Sequence, residues 1–181
     1  MNDEQFTFFW YGIYSQWHGS PFVFRDMNFT HAEQFMMFCK AMVFDDLETA
    51  NKILASNNPK EQKKLGRGVA NFNLEAWEQI SKHIVYVGNY CKFSQNLSLK
   101  IKLLATKDNT LVEASPYDKI WGIGLKEDDP RALKRDTWLG ENRLGEVLTQ
   151  VKKDMVANVW NDNSVKMCNL IFSKYKKDNE A

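Results

Sequence analysis

The segment from Asn73 to Phe93 constrains the fold most, because its apolar side chains recur on one helical face for roughly six turns. That face carries Leu74, Trp77, Ile80, Ile84, Val87 and Cys91. A helix with one apolar face is stable when that face packs against other elements. The 181 residues provide enough chain for such a core. The sequence therefore predicts a globular protein in which helices dominate.

Other segments show the spacing and the end signals of helices. Thr30-His31-Ala32-Glu33 fits a capping box, and apolar residues follow it at helical spacing up to Val43. Gly66-Arg67-Gly68 is predicted to be a break between helices. Further helices are predicted over Asp46 to Ala55, over Lys60 to Leu65 after Pro59, after a cap at Ser94, after a cap at Asn142, and from Ser164 onward.

Strand signals are fewer and shorter. Phe6 to Tyr11 and Ser20 to Phe24 are rich in β-prone residues, with a turn predicted at Arg25 to Asn28, so we expect a small sheet near the N-terminus. Leu111 to Ala114 is predicted to be another strand, and Gly122 to Gly140 a charged loop. The predicted fold class is α+β, a predominantly helical single domain with a small β-sheet.

Charge and composition disfavour several classes of protein. Twenty-four basic and 23 acidic residues leave a net charge of +1, whereas a non-specific nucleic-acid binder usually has a strongly basic domain. No apolar run reaches the roughly 20 residues of a membrane span. The polar N-terminus lacks the basic and apolar regions of a signal peptide. We therefore expect no membrane partner and a cytoplasmic location.

Cysteine and histidine spacing predicts neither disulfides nor a metal site. Cys39, Cys91 and Cys168 are widely spaced and odd in number, as expected for reduced thiols in the cytosol. The histidines are scattered, and no pair has the spacing of metal ligands. The sequence also contains no Walker loop and no Gly-x-Gly-x-x-Gly motif, which disfavours the two commonest phosphate loops.

Two charged residues border the apolar stripe of the helix that follows Thr30. Glu33 and Lys40 are seven residues apart, which places them about 20° apart around the helix axis and roughly 10 Å apart along it. A carboxylate and an amine at the edge of a core can line the floor of a cleft. The same spacing fits a capping role for Glu33 and a solvated Lys40, so both interpretations stay open.

The segment from Ser115 to Gly124 combines an acid, an indole and two glycines. Asp118 and Trp121 are three residues apart, so they are neighbours on one face of a short turn. Gly122 and Gly124 permit another backbone or a ligand to approach closely. The segment is either a site for a sugar or a base, or a capped turn that holds a core tryptophan.

Two segments have features of phosphate sites. Asn142 and Arg143 are predicted at a helix N-terminus, where free backbone amides and a cationic side chain attract anions. Leu65-Gly66-Arg67 offers a second arginine beside a glycine. Surface arginines are common, and each segment alone also fits an ordinary helix end.

Taken in order, these segments resemble the NADAR (YbiA-like) family. The matching motifs are Thr-His-Ala-Glu-Gln-Phe up to Lys40, Leu65-Gly66-Arg67 with Trp77 downstream, Leu111 to Gly124 with its Asp-x-x-Trp-Gly, and Trp138 with Asn142-Arg143-Leu144-Gly145. The resemblance runs from about Phe6 to Met155. It implies one domain over residues 1–181, with a NADAR-like core over about 6–157 and a helical extension over about 158–181.

The family is known for N-glycosidases. Some members cleave the N-glycosidic bond of phosphorylated riboflavin intermediates, and others remove ADP-ribose from modified guanine. The resemblance therefore implies a hydrolase that acts between a ribose phosphate and a nitrogen heterocycle, without a metal or an organic cofactor. Its partner would be a phosphorylated ribosyl heterocycle or an ADP-ribosyl group, the latter also on nucleic acid. The alternative is a non-catalytic module that binds ADP-ribose or a nucleotide.

The resemblance also implies roles for single residues. Glu33 and Asp118 would face one pocket and either stabilise positive charge on the ribose or orient water. Lys40 would donate a proton, neutralise a phosphate or form a Schiff base with an opened ribose. Gln34 stands where many members have His. The implied substrate-binding residues are Trp17 and Trp121 for the ring, Arg67 and Arg143 for phosphates, and Gly122 and Asn142 of the matching motifs.

Overall fold

A computed structural model gives the fold and describes residues 4–180. In this range the chain forms seven α-helices and four β-strands. The helices are α1 (Ala32–Val43), α2 (Leu47–Ala55), α3 (Pro59–Arg67), α4 (Leu74–Gln95), α5 (Leu97–Leu104), α6 (Arg143–Ala157) and α7 (Asp162–Glu180). The strands are β1 (Phe6–Phe9), β2 (Phe22–Phe24), β3 (Met27–Phe29) and β4 (Thr110–Glu113). The predicted helix-dominated α+β class is confirmed.

The described chain divides into two compact units, each made from two separate stretches of sequence. Unit 1 contains residues 4–18 and 97–160, and therefore β1, β4, α5 and α6. Unit 2 contains residues 19–96 and 161–180, and therefore the β2–β3 hairpin, α1 to α4 and α7.

Unit 1 is built on a parallel pair of strands, β1 and β4. Phe6 pairs with Thr110 and Phe9 with Glu113, and α6 packs on β4. A small apolar core consists of Val112, Ala114, Ile123, Leu125 and Ala132, with Phe6, Phe8 and Trp138 packed against it. Because Ile123 and Ala132 belong to the loop predicted over residues 122–140, this core holds the loop in place. The same loop contains two short 3-10 helices, at Pro130–Leu133 and Arg135–Thr137.

The helix α1 is central to unit 2. It contacts α2, α3, α4 and α7, and every residue from Ala32 to Met42 is buried. The predicted apolar stripe is thus only part of its packed surface. Glu33 and Lys40, expected at the edge of that stripe, are only 5% and 9% exposed. Charged groups in such a helix lose most of their hydration, which alters their acid–base behaviour.

A cluster of phenylalanines joins the hairpin, α1 and α7 in the core of unit 2. The ring of Phe172 in α7 has its centre 4.9 to 5.9 Å from those of Phe24, Phe29, Phe35 and Phe38. These distances are typical of favourable aromatic pairs. The predicted C-terminal helix is therefore confirmed, and it begins two residues before Ser164.

The N-terminal strands pair differently from the predicted sheet. β2 pairs antiparallel with β3, which lies in the segment predicted to be a turn alone, whereas β1 pairs with β4. The hairpin turn consists of Arg25 and Asp26, with φ of 49° and 65°. Two-residue hairpin turns with positive φ usually contain glycine or asparagine. The turn itself contains neither residue, and β3 is only three residues long, so the sequence predicted a turn here without a following strand.

Helix boundaries confirm some predictions and correct others. Asp46 and Asn73 are N-caps whose side chains accept a hydrogen bond from a first-turn amide, so the helix starts predicted there are correct. Gly66 and Arg67, predicted to interrupt the helix, form the last turn of α3. Ser94, predicted to cap α5, lies inside α4 and donates to a carbonyl of that helix.

All three cysteines lie in unit 2. Cys39, Cys91 and Cys168 are free and buried, as predicted for reduced thiols.

The length and apolar character of each helix decide whether it could span a bilayer. None of the helices between residues 4 and 180 is long and apolar enough to cross a membrane.

Candidate active site

The predicted site residues belong to both units. Unit 2 carries Glu33, Lys40 and Arg67. Unit 1 carries Trp17, Asp118, Trp121, Gly122, Asn142 and Arg143. The shared pocket expected for Glu33 and Asp118 stays a prediction, whereas the structure defines the surroundings of each residue within its own unit.

In unit 2 the side chain of Lys40 is held in a buried setting. Its Nζ donates a hydrogen bond of 2.7 Å to the carbonyl oxygen of Gly66. It also lies 4.1 Å from the ring centre of Phe72 and 5.7 Å from that of Trp77. Burial lowers the pKa of the Lys40 amine from its ordinary value. Lys40 is therefore not the solvated surface residue that spacing alone allowed.

The motif Leu65-Gly66-Arg67 supplies the carbonyl that holds Lys40. A β-carbon at Gly66 would overlap the sulfur of Met37 in α1, so glycine permits α3 to approach α1 closely. The downstream residue of this motif, Trp77, is 8% exposed and presents its ring to the amine. The sequence left this motif open as a phosphate site or an ordinary helix end. In the structure its Gly66 carbonyl holds Lys40, and the contact of Arg67 with a phosphate stays a prediction.

The capping box predicted at the start of α1 is not formed as expected. The N-cap is His31 and not Thr30, and its side chain makes no capping hydrogen bond. The amide of Thr30 donates to Oε1 of Gln34 at 2.8 Å, so Gln34 makes the bond expected of Glu33. Glu33 lies in the first turn of α1, where the positive end of the helix dipole favours a carboxylate.

Gln34 is an anchoring residue that the sequence pattern did not reveal. It is 2% exposed, and its Nε2 donates to the carbonyl oxygens of Ile53 and Ser56 at 3.1 and 3.0 Å. These bonds tie the first turn of α1 to the end of α2. They fix the backbone that carries Glu33, because the two residues are adjacent.

In unit 1 Asp118 organises a tight turn after β4. Its Oδ1 accepts hydrogen bonds from the amides of Ile120 and Trp121 at 2.9 and 2.8 Å. The capped turn inferred from the sequence is therefore present. Both bonds go to the same carboxylate oxygen, and Asp118 is half-buried. These bonds cap the turn through one of the two carboxylate oxygens.

The same turn takes up the first amides of α6. The donor and acceptor pairs are Asn142 with Gly122 (3.1 Å), Arg143 with Ile120 (3.2 Å) and Leu144 with Trp121 (3.1 Å). The predicted binding of a phosphate by free amides at this helix end is therefore wrong, because the amides already have carbonyl partners. These bonds join the Asp-x-x-Trp-Gly segment to the start of α6.

The side chain of Asn142 connects α6 to β4. The residue is fully buried at the N-cap position with φ of 56°, and its side chain makes no capping bond, contrary to prediction. Its Oδ1 accepts from the amide of Glu113 at 2.9 Å, and its Nδ2 donates to the carbonyl of Leu111 at 3.0 Å. A β-carbon at Gly145 would overlap that carbonyl, so glycine lets the helix lie against the strand.

In a comparison with known protein families, residues 7–156 match the NADAR domain. This range contains the motifs around Glu33, Asp118 and Asn142. The chain belongs to the NADAR family. The match confirms the resemblance inferred from the motifs around Glu33, Asp118 and Asn142. It ends before α7, which the phenylalanine cluster nevertheless places in the core of unit 2.

Two curated proteins are similar over most of the chain. N-glycosidase R617 of Acanthamoeba polyphaga mimivirus is 40% identical over 149 residues, which cover 78% of this chain and 86% of that protein. Protein irg-1 of Caenorhabditis elegans is 43% identical over 131 residues, or 71% of this chain. The chain spans less than two thirds of that relative, 62% of its length.

A solved structure shows that the fold is also shared. The NMR structure of the E. coli protein YbiA matches with a TM-score of 0.70 at 21% identity, over 87% of this chain and 89% of that chain. The predicted YbiA-like fold is confirmed by this match.

The remaining predicted residues of this NADAR chain differ in exposure. Trp17 is 42% exposed, Arg67 is exposed at the end of α3, and Trp121 is half-buried. The Nε of Arg143 pairs with a carboxylate oxygen of Glu141 at 2.6 Å, which partly neutralises its charge. Their contacts with a substrate stay predictions.

Unit 1 of this NADAR chain also contains a cavity of about 690 Å³ beyond the end of β1. Its lining includes the aromatic residues Trp10, Tyr11 and Tyr14 and the charged residues Lys126, Glu127 and Asp128. Sequence reasoning missed this cavity because it treated the whole aromatic run from Phe6 to Tyr11 as a strand. The strand ends at Phe9, so the last two rings of that run lie outside the sheet.

The chemistry available at these positions is that of acids, bases and charges. Among residues 4–180, no group of three or more His, Cys, Asp or Glu side chains is arranged to hold a metal ion. At the predicted catalytic positions the titratable groups are the buried carboxyl of Glu33, the buried amine of Lys40 and the half-buried carboxyl of Asp118. Such groups can transfer protons and stabilise a cation.

Proposed function

We propose that this chain is an N-glycosidase that hydrolyses the bond between a ribose phosphate and a nitrogen heterocycle. Membership of the NADAR family and the similarity to a relative named N-glycosidase support the proposal. The observation that carries it is the burial of Glu33 and Lys40 on one helix. Burying an acid and an amine costs stability, and both groups serve the cleavage of a ribosyl–nitrogen bond.

The carboxylates of Glu33 and Asp118 act on the ribose in this proposal. Departure of the heterocycle builds positive charge at the anomeric carbon, and a nearby carboxylate stabilises that charge or orients the attacking water. Glu33 is assigned to the ribose side. Gln34 supports it by fixing the first turn of α1.

The amine of Lys40 has two compatible roles. It donates a proton to the departing nitrogen, or, once neutral, it attacks C1 of the opened ribose. In the second role the C1–nitrogen bond to the heterocycle breaks as the Schiff base forms, the heterocycle leaves with the proton, and water then hydrolyses the Schiff base. The second role needs a lowered pKa in a desolvated setting. Burial lowers the pKa of Lys40, which supports this role without requiring it.

The remaining residues bind substrate or hold the site. Trp121 and the exposed Trp17 stack on the heterocycle, and Arg67 and Arg143 contact phosphate oxygens. Gly122 and Asn142 contribute through the backbone, because their bonds position the Asp118 turn and α6. The proposed reaction needs no metal or organic cofactor.

The experiment is a turnover assay on two substrates, a phosphorylated pyrimidine–ribose intermediate of riboflavin synthesis and an ADP-ribosylated guanine oligonucleotide. We expect chromatography to show release of the heterocycle or of ADP-ribose from at least one of them. Tight binding of both without release would overturn the enzyme and leave a nucleotide-binding module.

The matched variants are Glu33→Gln and Glu75→Gln. Both glutamates lie in the first turn of a helix, but Glu75 is exposed. We expect Glu33→Gln to lose most turnover while it stays folded, and Glu75→Gln to match the wild type. Full activity of a folded Glu33→Gln protein would remove Glu33 from the mechanism.

A further inference from the structure

The loop between α3 and α4, residues 68–73, places an aromatic ring over the amine of Lys40. The Nζ of Lys40 lies over the ring of Phe72, 4.1 Å from its centre. Phe72 is 42% exposed, whereas Lys40 is only 9% exposed. The ring therefore lies between the amine and solvent, while the carbonyl of Gly66 and the ring of Trp77 supply the other contacts of the amine.

Contacts on both sides of Phe72 hold its ring in this position. The ring meets that of Phe44, at the end of α1, edge to face with centres 5.2 Å apart. Before it in the chain, the amide of Ala70 donates to Oδ2 of Asp46 at 2.8 Å. After it, Asn73 caps α4. The loop is thus tied to the ends of three helices, so the cover over Lys40 is preformed.

The ring of Phe72 has two opposite effects on the charge of the amine. Its apolar bulk excludes water, which favours the neutral amine, whereas its π face attracts the protonated amine. Burial lowers the pKa of Lys40. Because the two effects have opposite signs, they predict opposite changes in this pKa when the ring is removed.

No charged side chain among residues 4–180 forms an ion pair or a hydrogen bond with the amine of Lys40. The loop 68–73 contains no charged residue. On the helices packed around the amine, the charged residues that flank it and its partners along the chain are Glu33 on α1, Asp46 before α2, Lys64 and Arg67 on α3, and Glu75 and Glu78 on α4. Exclusion of water, and not an opposite charge, therefore governs the protonation of Lys40.

We propose that Phe72 is a positioning residue that acts through Lys40, because its ring keeps water away from the amine. An amine with little hydration releases its proton more readily, which serves both the proton donor and the nucleophile. The ring acts on the amine and not on the substrate. This inference deepens the proposed function and rests on it only for the expectation that Lys40 takes part in turnover.

The first test measures the pKa of Lys40 without any substrate, so the two proposals can fail separately. The full chain is labelled with ¹³C in its lysine side chains and titrated by NMR from about pH 6 to 10.5, the range in which shifted and ordinary lysines lose their proton. The signal that is missing from Lys40→Met identifies Lys40. Circular dichroism confirms that each variant is folded.

We expect Phe72→Ala to move the titration midpoint of Lys40 toward higher pH by about half a pH unit or more, because water reaches the amine. Phe72→Leu keeps an apolar cover without a π face, so the pKa of Lys40 should not rise. Leu74→Ala, exposed two residues further along the chain, is the control and should titrate like the wild type.

A second readout connects the cover to turnover. In Phe72→Ala, one limb of the kcat–pH profile should move to higher pH by the same amount as the pKa of Lys40, while KM changes little. A merely structural role of Phe72 would lower activity without moving this limb.

Several results would overturn the proposal. One is an unchanged or lowered pKa of Lys40 in a folded Phe72→Ala protein. Another is an equal rise in Phe72→Leu, which retains an apolar cover. A kcat–pH profile that stays in place while the pKa of Lys40 moves would show that Phe72 does not act on turnover through Lys40. A chain that shows the expected pKa changes but cleaves no substrate would refute the proposed function and leave the cover of Lys40 established.

Discussion

The amine of Lys40 lies 2.7 Å from the carbonyl oxygen of Gly66, which is 26 residues further along the chain. The bond joins α1 to the last turn of α3 and sets the amine beside two aromatic rings. A backbone carbonyl stabilises the protonated amine by hydrogen bonding, whereas burial favours the neutral amine. Burial lowers the pKa of Lys40 from its ordinary value.

Replacing Lys40 should separate its possible roles. We expect Lys40→Met to lower kcat by about a hundredfold or more, because a positioned proton donor contributes roughly 10²–10⁴ in rate. Lys40→Arg keeps the charge but not a titratable amine, so we expect it to be equally impaired. Lys60→Met, at an exposed position of α3, is the control. If Lys40→Arg kept full activity, the lysine would serve only as a positive charge.

At Asp118 the turn and the charge can be tested apart. Asp118→Asn retains an oxygen that can accept from Ile120 and Trp121, so we expect the free energy of unfolding to change little. It removes the negative charge, so turnover should fall at least about a hundredfold. Asp118→Ala removes the cap as well and should cost a further ~1 kcal/mol in unfolding experiments. Normal turnover of Asp118→Asn would leave the residue with its turn alone.

Gln34 should contribute more to the free energy of unfolding than one uncharged side chain usually does, because it makes several buried hydrogen bonds. We expect Gln34→Ala to reduce the free energy of unfolding by roughly 2 kcal/mol or more, because it removes buried hydrogen bonds to the carbonyls of Ile53 and Ser56 and also the acceptor of the Thr30 amide. Urea unfolding measures this loss, with Gln79→Ala at an exposed position of α4 as the control.

A second variant at Gln34 tests the histidine that the family resemblance implied for this position. We expect Gln34→His to be destabilised too, because one imidazole cannot replace bonds to the start of α1 and to several carbonyls at once. A stable Gln34→His protein with higher turnover would instead indicate that this position takes part in proton transfer.

Stability should rise with pH because of Lys92 in α4. Burial lowers the pKa of Lys92 from 10.5 to about 7. Below pH 7 the amine is protonated in both folded and unfolded chains. Between about pH 7 and 10.5 the folded chain has released the proton while the unfolded chain keeps it, so the free energy of unfolding increases with pH.

The comparison variant for this effect is Lys92→Met. We expect the stability of the wild type relative to Lys92→Met to increase between pH 7 and pH 9.5 in urea unfolding. Lys82→Met, on an exposed face of the same helix, should show no such trend. A difference between wild type and Lys92→Met that stays constant over this range would contradict the buried-amine explanation.

Local signals in the sequence predicted much of the fold. The helix starts at Asp46 and Asn73 and the apolar spacing of α4 depend on neighbouring residues, so they could be predicted without the structure. β3 could not, because it has three residues and its turn uses Arg25 and Asp26 at positive φ. Local pattern therefore predicts helices better than this hairpin.

The candidate site was only partly predictable for a similar reason. Glu33, Lys40 and Asp118 were found through motifs, but their surroundings depend on distant backbone groups. The partner of Lys40 is a carbonyl oxygen, which every residue has, so no side chain marks it in the sequence. The same holds for the buried amide of Asn142, whose partners are main-chain atoms of β4.

Phe172 closes the core of unit 2 from a position near the end of the chain. During synthesis, the phenylalanines of the hairpin and α1 leave the ribosome more than a hundred residues before this ring is available. Unit 1 has the same property, since β1 must wait for β4. Neither unit can therefore reach its native core while the nascent chain is short, and a chain cut at the end of the NADAR match should expose the phenylalanine cluster and aggregate.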